Sequence, residues 1–373
     1  MKRRTSIINT AITFIITIGF VILATLLCNS NYVISSAFLP VLFYAIGAIV
    51  WGLFNSFLHE AGHIVACKKN GFYILEVSVW FFKWTRVKKR MRFDFTLIGE
   101  EAGYTESVPV GTDNIEKRYR KTVLGGVKAS FIALLMGIGV MFTVGRVPYQ
   151  LYCVFSMLLP ISAYFFFGNI LPMVNGGEKN DGAVYFGLKK NDISTQVMLS
   201  LLKVQAELMS GKTFCEIDEK LYFDLPQLPE DDLNFIRLLN ARYNYYLDKE
   251  DFENAKKTAD RLYGLIDDLP KNHRLVVMSD VLYNCCTFDY NEDLADDLMS
   301  DVEKYLNAVN TATNVRIKLA YLLYVKKSSE YAREIYDWGV KLSKRTPING
   351  IGVFENKLLS KIEKDISSEK SDN

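Results

Sequence analysis

Histidine is scarce in this chain, three in 373 residues. Two of the three lie four apart, so any imidazole chemistry is concentrated in one place. Cysteine is little used: the residues at 28, 67, 153, 215, 285 and 286 follow no framework spacing, and two are adjacent. They read as reduced or lipid-buried thiols rather than disulfides, in keeping with a cytoplasmic soluble half. No stretch interleaves basic residues with aromatics, so nothing points to a nucleic-acid partner. Net charge is also small, +2, but it hides a division. Residues 1–190 hold 20 Lys/Arg against 10 Asp/Glu, and residues 191–373 hold 24 against 32. A basic membrane-facing part is therefore followed by an acidic soluble part.

Long apolar runs are what the first half does have. Met1-Lys2-Arg3-Arg4 precedes one from about Ile7 to Leu27. It starts like a signal peptide but has the length of a spanning helix, so it reads as an uncleaved first span. A second span runs from about Phe38 to Cys67, a third from Val123 to Val144 and a fourth from Leu151 to Leu171. Between the second and third, residues 72–108 alternate and are rich in Val, Phe, Trp and Thr. They predict two or three short strands, too short and too charged to span. The 68–121 connection carries twelve Lys/Arg, whereas the links on the opposite side carry only Arg146. The positive-inside rule then places the N-terminus, the strand region and the C-terminal half in the cytoplasm of a multi-pass cell-membrane protein.

From about Ile193 the pattern is amphipathic and helical. Asp251-Phe-Glu-Asn-Ala255, Glu292-Asp-Leu-Ala295 and Glu330-Tyr-Ala332 recur at intervals of 40 and 37 residues. A small residue at that period suits stacked helix pairs of the tetratricopeptide kind, with a plain helical bundle as the alternative. Residues from Ser367 onward are expected to be disordered.

The chemistry centres on Asn55-Ser-Phe-Leu-His59-Glu60-Ala-Gly-His63-Ile-Val-Ala-Cys67. Histidines four apart stand one above the other on a helix, at metal-ligand spacing. Glu60 beside them is a carboxylate able to take a proton from metal-activated water. Ionisable groups at the end of so apolar a helix cost a few kcal/mol each and usually mark a function, which argues against two ordinary surface histidines. Cys67 shares the face but needs no role beyond that of a buried helical thiol. A catalytic zinc wants a third protein ligand. After the fourth span, Asn169 and Pro172 break the helix, and Asp181-Gly182 then offers a carboxylate at the same cytoplasmic level.

In these residues the chain resembles the site-2 protease family of intramembrane zinc metalloproteases. The resemblance covers residues 35–190 and rests on His59-Glu60-Ala61-Gly62-His63, on Asn169-Ile-Leu-Pro172 and on Asp181-Gly182. It implies that His59, His63 and Asp181 bind zinc and that Glu60 is the catalytic base. It also favours Asn169 as a residue that holds the substrate backbone or the developing oxyanion, against a cap at the helix break. Two departures stand out. Val127 and Ser130 follow Gly125-Gly126 where the family has Pro and Asn, and the gap from Pro172 to Asp181 is a few residues longer. The long gap leaves Glu178 as a rival third ligand. No PDZ-like insertion is evident.

The expected fold is an α-helical membrane protein with about four transmembrane helices and a short cytoplasmic β region at 72–108. Residues 1–190 would form the metalloprotease domain, and residues 191–373 an all-α cytoplasmic domain. The expected function is intramembrane zinc endopeptidase, cleaving a membrane-inserted protein or peptide near the cytoplasmic face. A substrate helix must unwind to be cut, and the edge of the 72–108 strands is expected either to hold it by β-augmentation or merely to seal that face. The alternative function is a non-catalytic membrane scaffold whose helical half binds a protein partner. A zinc transporter or sensor would need polar residues spread through more spans.

Overall fold

The computed structural model describes residues 3–34, 36, 38–95, 103–175, 177–269 and 271–368. The chain divides into two units. One comprises Met1–Arg86, Met91–Val108 and Asn114–Thr195, and the other comprises Val87–Arg90, Pro109–Asp113 and Gln196–Asn373.

Four apolar stretches in the first unit are long enough to cross a membrane. They are α1 (Arg3–Asn31), α2 (Phe38–Lys69), α3 (Ile115–Met141) and a broken helix made of α4 (Tyr149–Ser156) and α5 (Leu158–Ile170). By length and composition the protein is multi-pass. α3 begins earlier than its apolar run suggested, because the polar stretch Glu116–Lys121 forms its first turns. The fourth span is broken at Met157. Pro160 explains the break, since it cannot donate to Ser156 O and its ring crowds that carbonyl. Trp51 Nε1 on α2 donates to Val154 O beside the break, at 2.9 Å.

α2 has 32 residues and is about 48 Å long. It outruns a ~30 Å hydrocarbon layer, so its last turns can carry polar groups. It ends in Lys68 and Lys69, favourable at a helix C-terminus, and Gly71 follows at φ +70°. Its partner α3 comes close because a glycine of each helix faces the other at the crossing: a Cβ on Gly62 would strike Gly125 O, and one on Gly125 would strike Gly62 O.

Four strands follow α2 in the sequence: β1 (Phe72–Val79), β2 (Phe82–Val87), β3 (Arg90–Phe95) and β4 (Gly103–Pro109). They form one sheet in the order β3-β2-β1-β4, one strand more than the alternation suggested. Residues 96–102 of the expected β region lie outside the described residues. β1 and β2 are antiparallel, with Glu76 opposite Thr85 and Val79 opposite Phe82. Trp80 turns the hairpin at φ 54°, and its Nε1 donates to Ser56 Oγ of α2 at 3.1 Å. β4 is an edge strand. After α5 come the two-residue strands β5 (Val174–Asn175) and β6 (Glu178–Lys179), then α6 (Asp181–Lys190).

The second unit is helical. α7 (Ile193–Ser210) leads into it, followed by α8 (Lys220–Phe223), α9 (Leu233–Lys249), α10 (Phe252–Tyr263), α11 (Lys271–Thr287) and α12 (Glu292–Ala308). The last helices are α13 (Ala312–Ala320), extended by a π-helical turn at Tyr321–Val325, α14 (Ser329–Ser343) and α15 (Asn349–Ser368). Neighbours pair as α9 with α10, α11 with α12 and α13 with α14, and α15 closes on α13 and α14. The spaced alanines fall on every second helix: Ala255 on α10, Ala295 on α12 and Ala332 on α14 are fully buried. The residues before two of them are N-caps, Asp251 accepting from Asn254 N and Asn291 from Leu294 N. Of the tail expected to be disordered, Ser367 and Ser368 belong to α15, and residues 369–373 lie outside the described residues.

Candidate metal centre

Residues from α2 and α6 meet at one point. His59 Nε2 and His63 Nε2 are 3.2 Å apart. Asp181 Oδ2 lies 3.3 Å from the first and 3.2 Å from the second. Ligands bound to a tetrahedral ion at roughly 2.0–2.1 Å stand about 3.3 Å from one another, so this near-equilateral triangle has the dimensions of three ligands to one metal. Among the described residues, this is the group of His, Cys, Asp and Glu side chains placed to hold an ion. Burial opposes the ionisation of Asp181, but the His63 imidazole and hydrogen bonds from both histidines hold its carboxyl down at about 2. Two imidazole nitrogens and one carboxylate oxygen form a donor set that fits a divalent cation.

The space for this group comes from the helix crossing. A Cβ on Gly126 would collide with both Nε2 atoms, so glycine there lets α3 lie against the imidazoles without displacing them. α3 also orients them through their other nitrogens. His59 Nδ1 is 3.0 Å from Ser130 Oγ, and His63 Nδ1 is 3.3 Å from Thr122 O. Such outer partners fix the ring orientation and present Nε2 to a metal. Ser130 stands at a departure from the family pattern, and it is fully buried against the site.

Asp181 is delivered by Asn180. The Asn180 Oδ1 accepts from Ala183 N, which caps α6, and from Met173 N. Its Nδ2 donates to Gly168 O and Leu171 O, both at 2.7 Å. One side chain thus ties the start of α6 to the end of α5 across the long gap after Pro172. Gly182 completes the approach, since a Cβ there would strike Ile170 O. α1 holds the same segment from outside: Asn9 Nδ2 donates to Pro172 O at 2.8 Å, and Ser6 Oγ to Val174 O at 3.2 Å.

Glu60 is buried beside the triangle. Its Oε2 accepts from Thr105 Oγ1 of β4 at 2.6 Å, and its Oε1 lies against Gly103, where a Cβ would come within 3.1 Å. Glu178 is on β6 and is not part of the triangle. Cys67 is buried with Phe72, Ile74 and Val77, its Sγ 3.4 Å from Ser107 Oγ. Asn169 spends its amide on its own helix, Nδ2 to Phe165 O at 2.9 Å, and a role in substrate binding requires that bond to be exchanged. Asn180, Ser130 and Thr105 carry parts of the site that the motif did not single out. Asn180 alone had a local signal, an Asn at a helix start three residues before the N–H it caps.

The chain matches no protein-family model, no curated protein and no solved structure.

Proposed function

We propose that this protein is an intramembrane zinc endopeptidase of the site-2 protease kind, hydrolysing a peptide bond in a membrane-inserted protein or peptide. The observation that carries the reading is the His59–His63–Asp181 triangle at the end of a membrane-length helix with Glu60 one position from His59. Three protein ligands leave the fourth tetrahedral position open, as catalytic rather than structural zinc sites do. A zinc ion held there supplies a Lewis acid that acidifies water and polarises the scissile carbonyl.

The chain's own groups do the rest. Thr105 Oγ1 occupies Glu60 Oε2, which leaves Oε1 to take a proton from the attacking water and return it to the leaving amine. Ser130 and Thr122 keep both imidazoles turned with Nε2 inward. β4 lies over Glu60 and pairs with β1 on one side. Its other edge offers the backbone groups that an unwound substrate segment needs once its helical hydrogen bonds are broken. The distribution of Lys and Arg supports an orientation with the site, the sheet and the second unit on the cytoplasmic side.

The test is a comparison of membrane peptides in cells carrying the wild-type chain or Glu60→Gln. Fragments cut within or next to a membrane segment accumulate only with the wild type. Identical fragment sets would contradict the reading.

A further inference from the structure

Two of the six cysteines meet at the end of the bundle remote from the histidines. Cys28 lies in the last turn of α1 and Cys153 in α4, 125 residues apart in sequence. Their Sγ atoms are 3.6 Å apart, and both residues are buried. Around them pack Tyr152, Tyr32, Tyr44 and Val147. Tyr32 OH donates to Val147 O at 2.8 Å and accepts from Gly145 N at 2.8 Å. The α1–α2 link and the α3–α4 link are therefore already tied together here, which holds the two thiols as neighbours. A disulfide needs the sulfurs at about 2.05 Å. Closing the remaining gap takes a small movement of side chains that already face each other.

We propose that Cys28 and Cys153 are a cross-linking pair that closes to an intramolecular disulfide and staples α1 to α4. Each thiol loses its hydrogen and one S–S bond forms. The two electrons and two protons pass to a disulfide-bearing oxidant, which leaves as two thiols. The pair's location makes this reasonable in the cell. In the orientation proposed above, on which this point alone rests, the α1–α2 and α3–α4 links lie on the non-cytoplasmic side, the side on which disulfides persist. The staple closes a loop of more than a hundred residues, long enough to constrain the unfolded chain strongly. It also fixes one end of α1, whose other end holds the Pro172–Val174 segment through Ser6 and Asn9.

The experiment uses the purified full chain in detergent, treated with oxidised glutathione, digested under non-reducing conditions and read by mass spectrometry. The expected result is a linked Cys28–Cys153 peptide pair, absent in Cys28→Ser and in Cys153→Ser. The melting temperature should rise by several degrees on oxidation in the wild type only. Absence of the linked pair after oxidation, or linkage of Cys28 to a different cysteine, would overturn the proposal. Asn31→Cys on a Cys28→Ser background, labelled in intact cells with an impermeant maleimide, reports orientation separately. If the thiol introduced by Asn31→Cys is not labelled but purified wild type still cross-links, the orientation falls and the pair stands.

Discussion

Asp181 Oδ2 sits 3.2 Å from His63 Nε2 across 118 residues of chain. That contact adds a third side chain that could hold a metal to the two-histidine helix motif, and Asp181 rather than Glu178 stands in the triangle. Asp181→Asn is therefore expected to lose bound metal, whereas Glu178→Gln keeps it. Metal analysis of the two purified variants checks this. Full metal in Asp181→Asn would remove the third ligand.

Asn180 should matter nearly as much as the ligand it delivers. Asn180→Ala strips the α6 cap and frees Gly168 O, Leu171 O and Met173 N. A lost cap costs about 1 kcal/mol. Loosened support of a ligand typically weakens metal binding by about 10–100-fold. Competition against a chelator of known affinity measures it, and an unchanged affinity would show that the loop holds Asp181 without Asn180.

Ser130→Ala removes the partner of His59 Nδ1 while leaving the ligands in place. An affinity loss of about 10–100-fold is again expected, with no change in melting temperature once metal is saturating. Gly126→Ala is the harsher test, since its methyl group meets both Nε2 atoms. It should abolish stoichiometric metal binding. Full occupancy in Gly126→Ala would mean that α3 does not press on the imidazoles.

The second unit makes a separate prediction about pH. Asp280 on α11 is buried and accepts from Asn240 Nδ2 at 3.0 Å. Nearby, Arg316 and Glu355 form a fully buried ion pair at 2.8 Å. Burial pushes the Asp280 carboxyl up to about 7, against the pull of the Arg316 guanidinium. With its folded pKa above the unfolded value, the folded state binds the extra proton. Stability therefore falls as pH rises from the ordinary carboxylate range through about 7, by at most about 1.4 kcal/mol per pH unit. Asp280→Asn keeps the acceptor and removes the titration, so its advantage over the wild type should grow between pH 5 and 8. Thermal melts of both chains across that range would show it, and parallel pH profiles would contradict it.

Most of the membrane architecture was legible because apolar runs and their length report directly on spans. The histidine face of α2 was equally plain, since helical periodicity alone aligns residues four apart. Local reading fell short where a partner is distant. Pro160 broke the fourth span within an apolar run that hydropathy treats as continuous. Charges at 116–121 hid the start of α3. Ser130 looked like a departure from a family pattern, yet it faces His59 across a helix crossing at which a Cβ on Gly62, Gly125 or Gly126 would clash. The Cys28–Cys153 contact had no trace in spacing. The repeated alanines were legible because each is a local requirement of its own helix pair.

We propose a metal-dependent site with Glu60 as its base. Its most direct test is the zinc content of purified wild-type and Glu60→Gln chains, measured alongside cleavage of a membrane-inserted peptide in the same vesicles. The expected result is equal zinc in both, with cleavage lowered by about 10²-fold or more in Glu60→Gln. A wild-type chain without zinc, or a Glu60→Gln chain that cleaves at the wild-type rate, would contradict it.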